Sequence, residues 1–286
     1  MYSRMSIYIS LSTVPKRVGF WESFKQNLQS LVNQKTSVDY KIILNIPHKY
    51  NITNELYVIH DQLLEFQKEN PKLIINRTLD YGPITKIIGA FDISKDPDDI
   101  LLVCDDDHVY HEEMLDYQLK MHEKYKGQYI TCFRGDQPVV KVDVTKDGGT
   151  KGYIFATRHT HFPVKEDVRL VIPGHWHSVC YKRSFFGEDF LDKDFLSLCD
   201  NDDYLIAYYM KKKTIPIMCV NWDKETDYTP VNRDVRPAWS FPIVTPLPYD
   251  SCGFDEFRHM VGNHHGRYKP EWETFMNGRT DTVYSY

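Results

Sequence analysis

The run Ile100-Leu101-Leu102-Val103-Cys104 passes without a break into Asp105-Asp106-Asp107. A short apolar run of this kind predicts a strand buried on both faces, as in the middle of a helix-covered parallel sheet. Three carboxylates at its end put negative charge at the rim of a core. That is costly unless water, a cation or a basic group compensates it. The carboxyl end of a central strand is also where open α/β sheets bind ligands. Asp105 and Asp107 are two residues apart, so at a strand end they point to one side and Asp106 to the other. Two carboxylates on one side suit Mg²⁺ or Mn²⁺ and leave positions open for phosphate oxygens and water. A solvated acidic turn capping the next helix is the plainer alternative, but three acids exceed what a cap needs.

The rest of the first half places this strand in a series. Residues 5–12 alternate as a strand and end in the polar loop Ser12-Thr13-Val14-Pro15-Lys16-Arg17. Phe20, Trp21, Phe24, Leu28, Leu31 and Val32 then recur at helical spacing. A strand over 40–46 is stopped by Pro47, a helix is expected over 55–67, and Leu73-Ile74-Ile75 reads as a third strand. Asp80-Tyr81-Gly82-Pro83 is turn chemistry, and Ile84, Ile87, Ile88 and Phe91 form the stripe of a following helix with Lys86 off it. Residues 111–125 are again helical. This alternation favours a mostly parallel α/β sheet with right-handed crossovers. No Gly-x-Gly-x-x-Gly follows the first strand and no phosphate-loop motif occurs, which disfavours a conventional dinucleotide fold or nucleotide triphosphatase.

The second half is less regular. Strands are expected over 129–134, 152–157 and 215–220, with a helix over Tyr204–Lys212 opened by Asp202-Asp203. An Asp pair at a helix start is ordinary capping chemistry, so spacing alone leaves a catalytic role open. His175-Trp176-His177 is an aromatic with polar neighbours, suited to a sugar face or to a half-buried loop. Beyond 223 the chain is rich in Pro, Asp, Tyr and Trp and reads as a long wrap; within it His264 or His265 could supply a third ligand to the acid site, or both could lie on the surface. Lys16, Arg17 and Lys86 follow strand ends expected on the same sheet edge as the acids, where a diphosphate needs cationic partners.

A chain of 286 residues with 42% hydrophobic and 14% aromatic content can build a substantial core. The net charge of −5 does not suggest nucleic-acid binding. No window approaches the roughly 20 apolar residues that span a bilayer. The first residues resemble a strand more than a signal peptide, so a soluble, cytoplasmic protein is expected. The six cysteines are dispersed without a C-x-x-C pair and read as reduced core residues with no zinc site.

Together these residues resemble a family. The chain is similar to the GT-A glycosyltransferases, and most similar to the compact, family-2-like branch found in bacteria and large DNA viruses. Ser12-Thr13-Val14-Pro15-Lys16-Arg17 looks like its Ser-Thr-x-Pro-x-Arg loop, and Asp80-Tyr81-Gly82-Pro83-Ile84-Thr85-Lys86 like its Asp-Tyr-Gly-Pro-x-Thr-Lys segment. Asp105-Asp106-Asp107-His108-Val109-Tyr110 matches its Asp-Asp-Asp-x-x-Tyr form of the Asp-x-Asp motif, and Cys199-Asp200-Asn201-Asp202-Asp203 more loosely its late acidic pair.

The resemblance covers about residues 5–220. It implies a Rossmann-like α/β fold with a mixed, mostly parallel sheet flanked by helices. A nucleotide-sugar half (1–110), an acceptor half (111–222) and a C-terminal extension (223–286) would form one domain. Ser12, Thr13 and Arg17 would meet the nucleotide of a UDP- or GDP-sugar, and Asp80 and Lys86 would line the donor site. Asp107, with Asp105 or Asp106, would serve a Mn²⁺ or Mg²⁺ ion and the ribose. Asp202 or Asp203 would be the general base toward a glycan or glycoconjugate acceptor, with His175, Trp176 and His177 on that side, and the anomeric centre would invert.

Two rivals stand beside this reading. A metal-dependent nucleotidyltransferase or phosphohydrolase needs a basic, Gly-rich loop, and the first loop has no glycine before Gly19. A glycan-binding protein with a degenerate site would not need both acidic pairs intact.

Overall fold

The computed structural model describes residues 5–18, 21–51, 53–144, 150–158, 164–170, 172–197, 201–222 and 224. In chain order the helices and strands are β1 (Ile7–Ser12), α1 (Pro15–Val18), α2 (Trp21–Val32), β2 (Lys41–Pro47), β3 (Lys49–Tyr50), β4 (Glu55–Leu56), α3 (Asp61–Glu69), β5 (Leu73–Thr78), α4 (Thr85–Ile88), β6 (Ile100–Val103), α5 (Met114–Lys124), β7 (Ile130–Cys132), β8 (Gly135–Val144), β9 (Thr150–Arg158), β10 (Val168–Leu170), β11 (Ile172–Pro173), β12 (Val179–Lys182), α6 (Lys193–Leu196), α7 (Asp202–Lys212) and β13 (Ile217–Cys219).

The apolar run before the acids is β6, and every residue of it is buried. Ile100, Leu102 and Cys104 pack into one core while Leu101 and Val103 pack into another, so the strand is covered on both faces. It lies in an eight-stranded sheet of order β10-β13-β7-β12-β6-β1-β2-β5. β6, β1, β2 and β5 run parallel. β12 is antiparallel to both β6 and β7, β13 is parallel to β7, and β10 is antiparallel to β13. The sheet is thus mixed and mostly parallel, with helices on both faces: the Rossmann-like α/β class expected. On one face α2, α3 and α5 bury Phe24, Leu28, Leu31, Leu63, Phe66, Met114 and Leu115. On the other, α4 and α7 bury Ile87, Ile88, Leu205, Ile206 and Tyr209. β8 pairs with β11 on one side and β9 on the other in a separate three-stranded sheet.

Some expected elements shift. The helix expected over 55–67 begins only at Asp61, because residues 55–56 pair with β3 in a hairpin and Leu56 and Val58 face solvent. The helix expected from Ile84 divides into α4 and a 3-10 turn over Gly89–Asp92. His175–His177, expected as a loop suited to a sugar face or half-buried, forms a 3-10 turn. The wrap expected over 223–286 lies outside the described residues apart from Lys224. The described cysteines Cys104, Cys132, Cys180 and Cys219 are free and buried, while Cys199 and Cys252 lie outside the described residues. Among the described residues no helix is long and apolar enough to cross a membrane.

A buried polar layer ties α4 to the sheet. The Ser10 hydroxyl donates to the Lys86 carbonyl at 2.5 Å, and the Asn45 amide donates to Ser10 Oγ at 2.9 Å and to the Leu11 carbonyl at 3.0 Å. The Asn76 amide donates to Asn45 Oδ1 at 2.9 Å and to the Gly89 carbonyl at 2.8 Å. Buried polar groups of this kind must be satisfied, and when satisfied they fix one packing arrangement. Gly89 is needed for the close approach: a Cβ there would lie 2.4 Å from Asn45 Oδ1. Gly89→Ala is therefore expected to destabilise the fold by about 1–3 kcal/mol through overpacking and loss of the amide ladder. Urea unfolding of the variant against the wild type measures this.

Candidate active site

The acids of the opening stretch sit just past the end of β6, beside the end of β1 and across from the start of α7. The acid turn is held from behind. The Asn27 side-chain amide, on the buried face of α2, donates to the carbonyls of Asp105 (3.1 Å) and His108 (2.6 Å). The Tyr110 hydroxyl accepts from the Asp105 backbone N–H at 2.8 Å. Asn27 was not singled out from the sequence. Its signal was a polar residue in register with Phe24, Leu28 and Leu31 on an otherwise apolar helix face.

The side chains alternate as expected at a strand end. Asp105 and Asp107 remain 29% and 33% exposed, whereas Asp106 is only 5% exposed. Asp106 was expected among the donor contacts, but it is turned inward and ion-paired with Arg17. Arg17 also donates to Asp107 Oδ2 at 2.9 Å, and His108 Nδ1 lies 2.7 Å from Asp107 Oδ1. Burial would raise the Asp107 carboxyl's pKa, but the His108 hydrogen bond and the Arg17 charge outweigh it and hold the group well below the usual carboxylate range.

Lys86 joins this cluster to the late acidic pair. Its buried ammonium lies 2.5 Å from Asp105 Oδ1 and 2.6 Å from Asp202 Oδ2. Burial works against the charged amine, yet Asp105, Asp202 and Asp203 together raise its pKa above the ordinary lysine value. The Asp pair does not cap α7. Asn201 does, its side chain accepting from the Tyr204 N–H at 3.1 Å, so both Asp side chains are free for other partners. Asp202 is 11% exposed and bound to Lys86; Asp203 is 30% exposed. Burial pushes both carboxyls up. For Asp202 the Lys86 charge and the His175 hydrogen bond reverse this and bring it well below the usual range. For Asp203 burial and the Asp202 charge prevail and raise it.

His175, expected on the acceptor side, lies in the interior with both ring nitrogens engaged. Nδ1 is 2.5 Å from Asp203 Oδ1 and 3.1 Å from Asp202 Oδ2, and Nε2 is 2.6 Å from the Tyr181 hydroxyl. The ring is therefore closed to a sugar. The ligand atoms of His175, Asp202 and Asp203 lie within 4.8 Å of one another, close enough to converge on a cation. Here Lys86 supplies the positive charge, and the short Nδ1–carboxylate distances call for a proton on Nδ1, which makes the ring a donor. Trp176 is half-buried and His177 buried, and both rings pack near His108, at 5.8 and 6.1 Å between centroids.

Of the other expected residues, Ser12 ends β1 opposite Asn45, and Thr13 is buried beside the Tyr57 hydroxyl. Asp80 accepts from the Gly82 N–H of its own turn at 2.9 Å and from the Asn51 N–H, just after β3, at 2.7 Å. The Lys16 side chain, His264 and His265 lie outside the described residues.

No protein-family model and no curated protein matches this chain. Among solved structures it is similar to the S. aureus TarS 1–349 chain, with 11% identity and a TM-score of 0.46 over 75% of this chain and 57% of that one. It is also similar to a longer S. aureus TarS chain, with 12% identity and a TM-score of 0.46 over 78% and 36%. A third similarity is to Francisella tularensis 2-C-methyl-D-erythritol 4-phosphate cytidylyltransferase (IspD), with 14% identity and a TM-score of 0.38 over 75% and 89%. The chain thus spans less than two thirds of either TarS chain.

Proposed function

We propose that this chain is a GT-A-type glycosyltransferase that moves a sugar from a nucleoside-diphosphate donor to an acceptor hydroxyl with inversion. The observation that carries the reading is the Lys86 bridge: one buried ammonium joins the acids after β6 to the acids that open α7. A donor-side acid cluster and a separate carboxylate, Asp203, about as exposed as Asp105, are thereby held close to one another, an arrangement that suits single-displacement sugar transfer.

The site also suits a divalent ion. Among the described residues, five carboxylates (Asp105, Asp106, Asp107, Asp202 and Asp203) face two permanent cations, Arg17 and Lys86, and one buried oxygen of Asp106 has no hydrogen-bond partner. Asp105 and Asp107, half-buried and carrying hard oxygen donors, are the residues that would hold Mg²⁺ or Mn²⁺. When bound, such an ion supplies charge neutralisation for a departing diphosphate.

The chain's own groups do the rest. Asp203 accepts the acceptor hydroxyl's proton as the new C–O bond forms at the anomeric carbon and the bond to the diphosphate oxygen breaks. Asp202 stays charged against Lys86 and is not free to act as base. Lys86 and Arg17 hold positive charge beside the leaving group. Thr13 and Asp80 flank the nucleoside side, and Trp176 faces the acceptor.

Calorimetry with UDP, GDP and their sugars, with and without Mn²⁺, tests this. At least one nucleoside diphosphate is expected to bind at micromolar affinity only with the metal present, about −8 kcal/mol. Absence of metal-dependent binding across the panel would sink the proposal.

A further inference from the structure

From the contacts around α7 we infer that Tyr181 and His175 form a buried relay that positions the Asp203 carboxylate, leaving one oxygen of it free for the acceptor. The inference rests on the reading of Asp203 as the base.

The geometry is specific. Asp203 Oδ1 receives two hydrogen bonds from His175: the ring Nδ1 at 2.5 Å and the backbone N–H at 3.2 Å. Both come from the start of the 3-10 turn, which is anchored where the Gly174 N–H donates to the Arg134 carbonyl at 3.0 Å. With Oδ1 held twice, the exposure left to Asp203 makes Oδ2 the oxygen that can meet a hydroxyl. The imidazole itself is held from its far side by the Tyr181 hydroxyl at 2.6 Å, and Tyr181 is fixed in β12, next to β6 in the sheet. Nδ1 keeps a proton whether the ring is neutral or charged. In the neutral ring Nε2 accepts from the tyrosine; in the charged ring it donates to it. Either way Tyr181 prevents the ring from flipping away from Asp203. A buried histidine holding a carboxylate through hydrogen bonds on both sides is costly to assemble unless every member is satisfied, and here both ring nitrogens are. His175 touches neither solvent nor an open surface, so it acts through Asp203 as a positioning residue.

The test uses the full chain with ¹⁵N-labelled histidine, and three variants: Tyr181→Phe, His175→Asn and His175→Ala. Asparagine places an amide N–H near the position of Nδ1–H, and Phe keeps the ring volume, so both variants preserve packing where His175→Ala does not. In the ¹⁵N spectra, the signal lost in His175→Asn is expected to report a protonated Nδ1. An unprotonated Nδ1 in the wild type would overturn the relay, whatever the activity.

In initial-rate assays of nucleoside diphosphate release from UDP-glucose, UDP-galactose and GDP-mannose, His175→Ala is expected to lower kcat about 100-fold with donor KM within about twofold. His175→Asn should recover at least about tenfold of that loss, and Tyr181→Phe should cost about five- to tenfold in kcat. Equal losses in His175→Ala and His175→Asn, or a donor KM that rises in step with the fall in kcat, would overturn the inference. If the wild type releases no nucleoside diphosphate from any of these donors while the spectra show the protonated Nδ1, the transferase reading fails and the relay stands.

Discussion

Asp203→Asn is expected to lower turnover by about 10²- to 10⁴-fold while leaving donor affinity unchanged, because a general base acts only on the proton in flight. The substitution keeps the size of the side chain and an oxygen that can still accept from the His175 N–H, so α7 and its neighbours should stay in place. The contrast with Asp202 is physical. Asp202 is the more buried of the two and lies 2.6 Å from Lys86, so its charge is already committed. Asp203 keeps exposure, and burial together with the Asp202 charge raises its carboxyl above the ordinary aspartate value. A raised pKa means that the group is protonated, and inactive as a base, at a higher pH than a free aspartate. The acid limb of kcat is therefore expected above about pH 4, the unperturbed value. Undiminished turnover by Asp203→Asn would remove this residue from the mechanism.

Lys86→Met is expected to destabilise the fold by about 3–5 kcal/mol, because it leaves the buried Asp202 and the half-buried Asp105 without their shared cation. Methionine fills nearly the same volume, so the loss reports charge and not packing. Guanidinium unfolding measures it. Adding Asp202→Asn to Lys86→Met should recover part of the loss, since the unpaired buried charge is then gone; a purely packing effect would not be recovered. The pH dependence has a fixed sign. Lys86 has a raised pKa in the fold, so its stabilisation is complete below about pH 10, the value of a free lysine, and is lost as pH rises through the folded value. Asp202 is depressed, so its share is present above about pH 4 and fades as pH falls toward its folded value. The gap between wild type and Lys86→Met should therefore be widest across the neutral range and narrow at both extremes. The variant should also bind nucleoside diphosphates more weakly, since Lys86 is one of two permanent cations at the acid cluster among the described residues.

Much of this was legible in the sequence, where period and composition speak locally. The run before Asp105 contains a strand buried on both faces, as a short apolar run without alternation predicts. The opposite settings of Asp105 and Asp107 against Asp106 follow from the two-residue period of a strand. What was not legible depends on contacts distant in sequence. His175 and Asp203 are 28 residues apart, and nothing in Pro173–His177 says that its first histidine turns inward. Asn201, one residue before the acidic pair, takes the capping role that spacing alone would give to Asp202. Ser10, Asn45 and Asn76 are polar residues inside apolar strands, a visible signal, but their partners at Lys86 and Gly89 come from the crossover between β5 and β6. The misplaced start of α3 has a local cause: Leu56 and Val58 supplied apolar positions that fit a helical stripe, yet both are exposed, Leu56 within a hairpin and Val58 just after it.

The reaction class is tested most directly by ³¹P NMR of a nucleotide sugar incubated with the protein and Mg²⁺, using a donor that binds in calorimetry. Cleavage at the anomeric carbon leaves both phosphates on the nucleoside, so the account predicts that the nucleoside diphosphate accumulates as the donor is consumed. Accumulation of nucleoside monophosphate and sugar 1-phosphate would mean cleavage between the phosphorus atoms and would contradict sugar transfer in favour of phosphohydrolase chemistry.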